Sequence, residues 1–236
     1  MTDAPEEMLG VAERGVRAIR ALGADQAEVY LWTARSWEAR EAGGLRTIQE
    51  ADESGVSVRV NVGGRRASST TTGTSDEAVM WAARRAVTLA GLRPQNATPW
   101  LLPSPDDRTL RPPTNAHPAL ARPDPERMLG VVDLAGDAVR DANGIDYVSA
   151  ALVTHQGRFV VANTSGVLTW DQNAHEAFAG EVRGAHEGEA RTKRVSIQER
   201  RPIDFDRDVR ASFEAAIALA TEREAKIPLD RPRPGA

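Results

Sequence analysis

Glu7-Met8-Leu9-Gly10-Val11, near the start of the chain, recurs as Arg127-Met128-Leu129-Gly130-Val131. Downstream of each copy the order is also the same: an amphipathic helix, several short alternating strands, then a second helix. Internal repetition decides architecture before any short motif does. Here it predicts two similar lobes in tandem.

In the first copy, Met8, Val11, Ala12, Gly15, Ile19 and Leu22 recur at three- and four-residue spacing, which predicts a helix over residues 5–22. Gly23 suits the position just past its end, because glycine takes the left-handed conformation without steric cost. Residues 27–33 read as a strand, and residues 37–40 and 45–50 as a hairpin around Gly43-Gly44. Val56-Ser57-Val58-Arg59-Val60-Asn61-Val62 alternates valine with polar residues, as a strand with one buried face must. Gly63-Gly64 is a two-residue hairpin signal, with residues 65–72 as the return strand. Asp52-Glu53 beside Glu50 reads as a solvated turn. Ser75 caps a second helix, with Asp76 and Glu77 in its first turn, where the helix dipole favours acids.

Residues 92–124 contain Pro94, Pro99, Pro103, Pro105, Pro112, Pro113, Pro118 and Pro123 of the 14 prolines, so an extended connector is expected. Trp100, Leu101 and Leu102 are expected to pack it onto a lobe. Asp124-Pro125 opens the second copy with a cap and a proline at the first helical position. Residues 147–155, 158–163, 167–173, 175–183 and 191–201 read as strands, with turns at Gln156-Gly157 and Thr164-Ser165-Gly166. Asp206 or Asp208 is expected to cap a final helix. The predicted class is α+β: a first lobe at 1–91, a connector at 92–124, a second lobe at 125–226 and a Pro-rich tail at 227–236. Each lobe is expected to hold a mainly antiparallel sheet of about four strands with flanking helices.

Composition excludes several functions. The 41 % hydrophobic and 27 % charged content is ordinary for a globular protein. A net charge of -4 argues against a nucleic-acid binder, and the basic run from Arg191 to Arg201 still contains Glu199. Without cysteine there is no disulfide framework, thiolate metal site or cysteine nucleophile. The acidic N-terminus is not a signal peptide, and no apolar run approaches the roughly 20 residues that cross a bilayer. A cytoplasmic location is the expectation.

Several phrases, in order and spacing, resemble the N-terminal half of the TldD/PmbA (TldE) family, described as zinc metallopeptidases and once called modulators of DNA gyrase. They are Leu22-Gly23-Ala24-Asp25-Gln26-Ala27-Glu28-Val29-Tyr30, Gly55-Val56-Ser57-Val58-Arg59-Val60 with its Gly63-Gly64 turn, Ser75-Asp76-Glu77-Ala78, and Ala162-Asn163-Thr164-Ser165-Gly166. The resemblance implies that catalysis lies elsewhere, in a C-terminal domain with a His-Glu-x-x-x-His zinc motif. A Pro-x-Pro-x-Gly segment leads into that domain, and Arg231-Pro232-Arg233-Pro234-Gly235 looks like it. The sequence would then be the front half of a subunit, and a shortened gene product, a split gene or a truncated chain would all read the same.

The residues themselves offer little chemistry. His186-Glu187-Gly188-Glu189-Ala190-Arg191 and His175-Glu176-Ala177-Phe178-Ala179-Gly180 both lack the second histidine a metallopeptidase needs one helical turn away. Both read as exposed strand residues. His117 and His155 add no constellation, and no Gly-x-Ser-x-Gly elbow favours a serine nucleophile. No catalytic, metal or substrate-binding residue is assigned, and no cofactor is expected in this chain; zinc is expected only in the C-terminal domain or a partner subunit. Trp32, Trp37, Trp81, Trp100 and Trp170 read as core or interface anchors. The run from Ser68 to Thr72 offers an edge for an extended peptide, although a plain polar strand is the preferred reading.

The resemblance implies a non-catalytic region of a metallopeptidase subunit, inactive alone. It would help to form the subunit interface and the access route for unfolded peptides. Expected partners are TldD/PmbA-type subunits in a homo- or hetero-oligomer and, by an exposed sheet edge, extended peptides; nucleic acid and membrane are not expected. The alternative is a stand-alone protein-interaction or regulatory module that pairs with full-length family members.

Overall fold

The computed structural model describes residues 6–96, 98–105, 117–140, 142–186 and 189–221. The heart of the Pro-rich connector, Glu187, Gly188 and the 227–236 tail lie outside the described residues. The chain runs through one pattern twice. Helix α1 (Glu6–Ala21), strands β1 (Gln26–Ala42), β2 (Leu45–Val62) and β3 (Arg65–Thr72), and helix α2 (Asp76–Gly91) make the first round. Helix α3 (Pro125–Arg140), strands β4 (Ile145–Asn163), β5 (Leu168–His186) and β6 (Glu189–Glu199), and helix α4 (Arg210–Thr221) make the second. The repeated phrase opens α1 and α3.

The class is α+β, but the six strands form one sheet, in the order β3-β2-β1-β4-β5-β6. Two-residue turns at Gly43-Gly44 and Gly63-Gly64 join antiparallel neighbours, and all four glycines have the positive φ that such turns require. In the middle, Ala27 exchanges bonds with Thr164 while Gly43 donates to Val148. The start of β1 therefore meets the end of β4, and this pair is antiparallel as well.

The strands are fewer and longer than expected. Gln156-Gly157 is not a turn: β4 runs straight through it, and Gly157 is not among the glycines of positive φ. Glu50, Asp52 and Glu53 lie inside β2, where Asp52 pairs with Arg35 at 2.6 Å. Alternation explains the first case. Leu152, Thr154, Val160 and Ala162 are all buried, so the buried face keeps its phase across residues 156–157.

Strands of 17 to 19 residues also bear on how the chain divides. At about 3.3 Å per residue such a strand exceeds 50 Å. A 16-residue helix covers only about 24 Å of it. One helix pair cannot bury the whole length. The chain accordingly divides into two compact units that are not consecutive halves: Met1–Trp37, Glu50–Pro123 and Thr154–His175 in one, Glu38–Gln49, Asp124–Val153 and Glu176–Ala236 in the other.

The first unit buries Val11, Ala12, Val16 and Ile19 of α1 and Val79, Ala82, Ala83 and Ala86 of α2 against Val29, Leu31, Val56, Val58, Val60, Val160 and Ala162. Ser75 caps α2 as expected, its hydroxyl accepting from the Ala78 amide at 3.2 Å. The Asn163–Gly166 turn is fixed by its own chemistry: the Asn163 side-chain oxygen accepts from the amides of Ser165 and Val167, and its amide donates to the Pro103 carbonyl at 2.9 Å.

The second unit is organised by Phe178, Phe205 and Phe213, which meet edge to face at centroid distances of 6.0–6.2 Å. A π-helical turn, Phe205–Val209, precedes α4. Its cap is Asp204, which accepts from the Arg207 amide, and not Asp206 or Asp208. Asp208 is occupied otherwise, since it accepts from Arg201, from Arg207 and from the Asp204 amide. Hydrogen bonds from Arg201, then Arg207, hold its carboxyl far below the usual carboxylate range. A depressed folded-state pKa contributes stability that is complete above the ordinary value of about 3.9 and is lost as pH falls below it. Asp208→Asn should lower the urea midpoint at neutral pH, and the gap to the parent should narrow below about pH 4. Urea curves across that range check this.

Candidate peptide-binding edge

β3 is an edge strand of the sheet, as its Ser/Thr run suggested. Its register with β2 runs from Val62↔Arg65 to Gly55↔Thr72. A two-residue turn makes the closing pair Val62↔Arg65 a hydrogen-bonded one, and bonded pairs then recur at every second residue. The next odd position agrees, because the Gly73 amide donates to the Ser54 carbonyl at 3.0 Å. Residues 65, 67, 69 and 71 therefore spend their backbone groups on β2. Arg66, Ser68, Thr70 and Thr72 turn theirs outward, along the edge.

Side chains sort by the same alternation. Ala67 and Ser69 are buried, whereas Ser68, Thr70 and Thr72 are exposed. The exposed set shares a sheet face with Glu28, Tyr30 and Trp32 of β1, with Ser57, Arg59 and Asn61 of β2, and with Phe159 of β4. Their neighbours Val29, Leu31, Val56, Val58, Val60 and Val160 face the opposite way, into the core. Cross-strand contacts tie this face together. Arg59 donates to Glu28 at 2.9 Å, Thr70 donates to Ser57 at 3.3 Å, and Tyr30 lies 5.7 Å from Trp32 and 6.0 Å from Phe159. Gly55 lets the Trp32 ring lie over the β2 backbone, since any Cβ there would overlap the ring. Burial pushes the Tyr30 phenol above its ordinary pKa.

The start of the connector runs along one end of this surface. The Asn96 amide donates to the Gly64 carbonyl, Arg66 donates to the Thr98 carbonyl, and Arg59 stands 5.8 Å over the Trp100 ring. Leu102 is buried as anticipated, but Leu101 is 86 % exposed. A rigid sheet edge beside an aromatic and hydroxyl-bearing face can take up an extended backbone with little demand on side-chain identity.

The histidines sit differently from the sequence reading. His155 and His175 come together: their rings face each other across β4 and β5 at 5.1 Å. Glu176 is fully buried rather than exposed, because alternation turns it to the helix side, where Arg127 of α3 and the Ile203 amide meet it. His117 accepts from the Ala119 amide in a short 3-10 turn, and the side chain of His186 lies outside the described residues. Among the described residues no three His, Asp or Glu side chains are grouped to hold a metal ion. No described helix is long and apolar enough to cross a membrane. A shallow groove of about 660 Å³ beside α3 is lined by Arg127, Val131, Leu134, Ile203, Phe205 and Arg207, but both arginines are committed to buried or half-buried carboxylates.

Residues 36–90 match the family model described as PmbA/TldA metallopeptidase domain 1. No curated protein matches the chain. Among solved structures, TldE from Thermococcus kodakarensis is similar with a TM-score of 0.72 at 18 % identity, over 89 % of this chain and 47 % of that one. A protein designated a candidate modulator of DNA gyrase, from Bacteroides thetaiotaomicron, is similar with a TM-score of 0.75 at 12 % identity, over 89 % of this chain and 48 % of that one. Another so designated, from Thermotoga maritima, has a TM-score of 0.69 at 12 % identity, over 89 % of this chain and 47 % of that one. The chain spans about half the length of the solved structures it matches. The chain therefore shares its fold with about half of TldE, and residues 36–90 match the model of the first domain of the PmbA/TldA metallopeptidases.

Proposed function

We propose that this chain serves as a non-catalytic N-terminal region of a TldD/PmbA-type metallopeptidase subunit, shaping the approach of extended peptides and contributing to subunit contacts. The observation that carries the reading is the β3 edge, where Arg66, Ser68, Thr70 and Thr72 turn backbone donors and acceptors outward beside an exposed hydroxyl row. An extended segment can pair with such an edge through its backbone alone, so the edge favours extended chains by geometry. The catalytic zinc belongs, on this reading, to a further domain or a partner subunit in the cytoplasm, and nucleic acid has no part. Subunit contact draws support from the β1–β2 hairpin, where Leu45 is 68 % and Ile48 42 % exposed. The same hairpin would serve a free-standing module that pairs with full-length family members, and pulldown with such subunits separates the two roles.

Proline scanning tests the edge. Proline at an outward-facing position removes an edge donor without breaking the ladder, whereas proline at a ladder position breaks it. Thr70→Pro should weaken binding of a labelled unfolded peptide about tenfold, which is about 1.4 kcal/mol, with a small change in unfolding midpoint. Thr71→Pro should unfold the edge. Fluorescence anisotropy and thermal melts read the two effects. Unaltered peptide binding by Thr70→Pro would remove the edge from the mechanism, and chelator-sensitive peptidase activity of the pure chain would overturn the non-catalytic reading.

A further inference from the structure

We infer that His155 and His175, with the side-chain oxygen of Asn173, form a binding site for a borderline divalent transition-metal ion of the zinc or nickel class. The inference rests on three features of β4 and β5, and it is independent of the peptide-binding reading.

The first is the separation of the rings. Their centroids are 5.1 Å apart and their planes are tilted by 36°. A metal ion bound by two imidazole nitrogens at about 2.0–2.1 Å, at a tetrahedral angle, places the ring centroids about 5 Å apart. Neutral imidazole is the donor that zinc, nickel and copper(II) prefer among protein groups.

The second is Gly157. It sits in the interior of an unbroken strand and has no turn to make, so turn chemistry does not account for it. A glycine in such a position weakens the strand and commonly marks a place that another group must approach closely. The space its missing side chain leaves is bounded by ligand atoms: a Cβ at Gly157 would stand 2.8 Å from Asn173 Oδ1 and 3.5 Å from His155 Nε2.

The third is the alternation of the two strands. Asn163 and Val167 pair across the β4–β5 turn, and counting back from them puts Gly157 opposite Asn173 and His155 opposite His175. All four residues then lie on the sheet face away from the core valines, and both histidines are half-buried and reachable from solvent. Two imidazoles, one amide oxygen and solvent complete a four-coordinate shell. With only two strong protein donors the site is an exchangeable one, which pins β4 to β5 when loaded.

Titration of the full chain with zinc(II) alone, followed by calorimetry near neutral pH, tests the proposal. One equivalent is expected to bind. His155→Phe and His175→Phe keep a ring in each place while removing the nitrogen donors, and each should weaken binding by more than about 100-fold, beyond the roughly 10–100-fold loss typical of an outer-shell change. His117→Ala should leave binding unaltered. Gly157→Ala should hold or raise the unfolding midpoint, since alanine suits a strand better than glycine, and yet weaken zinc binding by crowding Asn173. Absence of saturable binding in the parent chain would overturn the proposal. So would equal affinity in the His155→Phe/His175→Phe double variant, which would place the ion elsewhere.

Discussion

Arg127→Ala is expected to destabilise the second unit by about 3–5 kcal/mol, because it withdraws the cation facing a buried carboxylate. The Glu176 side chain has no exposed surface and that of Arg127 is 31 % exposed. Arg127 also donates to the Ile203 carbonyl at 3.1 Å, while the Ile203 amide donates to Glu176 at 2.6 Å. The guanidinium and the carboxylate together close the loop between β6 and the π-helical turn onto α3. Glu176→Gln should cost less than Arg127→Ala: the amide oxygen can still accept from Ile203, and the half-exposed arginine can turn its charge to water. Urea unfolding of the two single variants and the double checks the order. Equal costs would mean that loss of the ion pair from either side, rather than the stranded buried carboxylate, sets the penalty. A double variant close to Arg127→Ala would mean that the two losses share one interaction.

The elements that the sequence made legible are those whose signal is local. The stripe of α1, the cap of Ser75 and the valine alternation of β2 each depend on neighbours a few residues away, and each stands as read. The length of the strands was not local in that sense. Gly157 and the acids of residues 50–53 resemble turn residues, and only pairing with neighbouring strands, on both sides at Gly157 and with β1 at residues 50–53, keeps the backbone extended there. The burial of Glu176 shows the same limit. Alternation along β5 placed it on the core side, but its arginine is 49 residues away in sequence, so a polar residue in a polar stretch read as exposed. The pairing of His155 with His175 escaped for a related reason. With β4 read as two strands broken at Gln156-Gly157, the register that sets the rings opposite each other could not be drawn. The edge position of β3 came through because its residues 68–72 are short, polar and β-branched, a composition that central strands seldom carry.

Phe178→Ala should be about as costly as the loss of Arg127, at about 3–5 kcal/mol for deletion of a large aromatic side chain from a packed core. Phe178, Phe205 and Phe213 are each at most 2 % exposed, and each ring meets the other two edge to face. Deletion of Phe178 therefore removes two of three ring contacts, each adding about 0.5–1.5 kcal/mol beyond area burial, and leaves a void between β5 and α4. The site cannot collapse easily. Gly180 stands two residues along the same face, and a Cβ there would come within 2.6 Å of Phe213 and 3.0 Å of Phe178, so the rings already rest on the β5 backbone. Gly180→Ala should accordingly destabilise the parent, by forcing Phe213 off its seat, yet do less harm in a Phe178→Ala background, where the void receives the displaced ring. For a chain of this length each kcal/mol moves the midpoint by about 2–4 °C, so Phe178→Ala should melt roughly 10 °C below the parent. A double variant as unstable as the sum of the singles would show that the void is not shared, and that Gly180 matters for strand geometry rather than for the seat of the phenylalanine cluster.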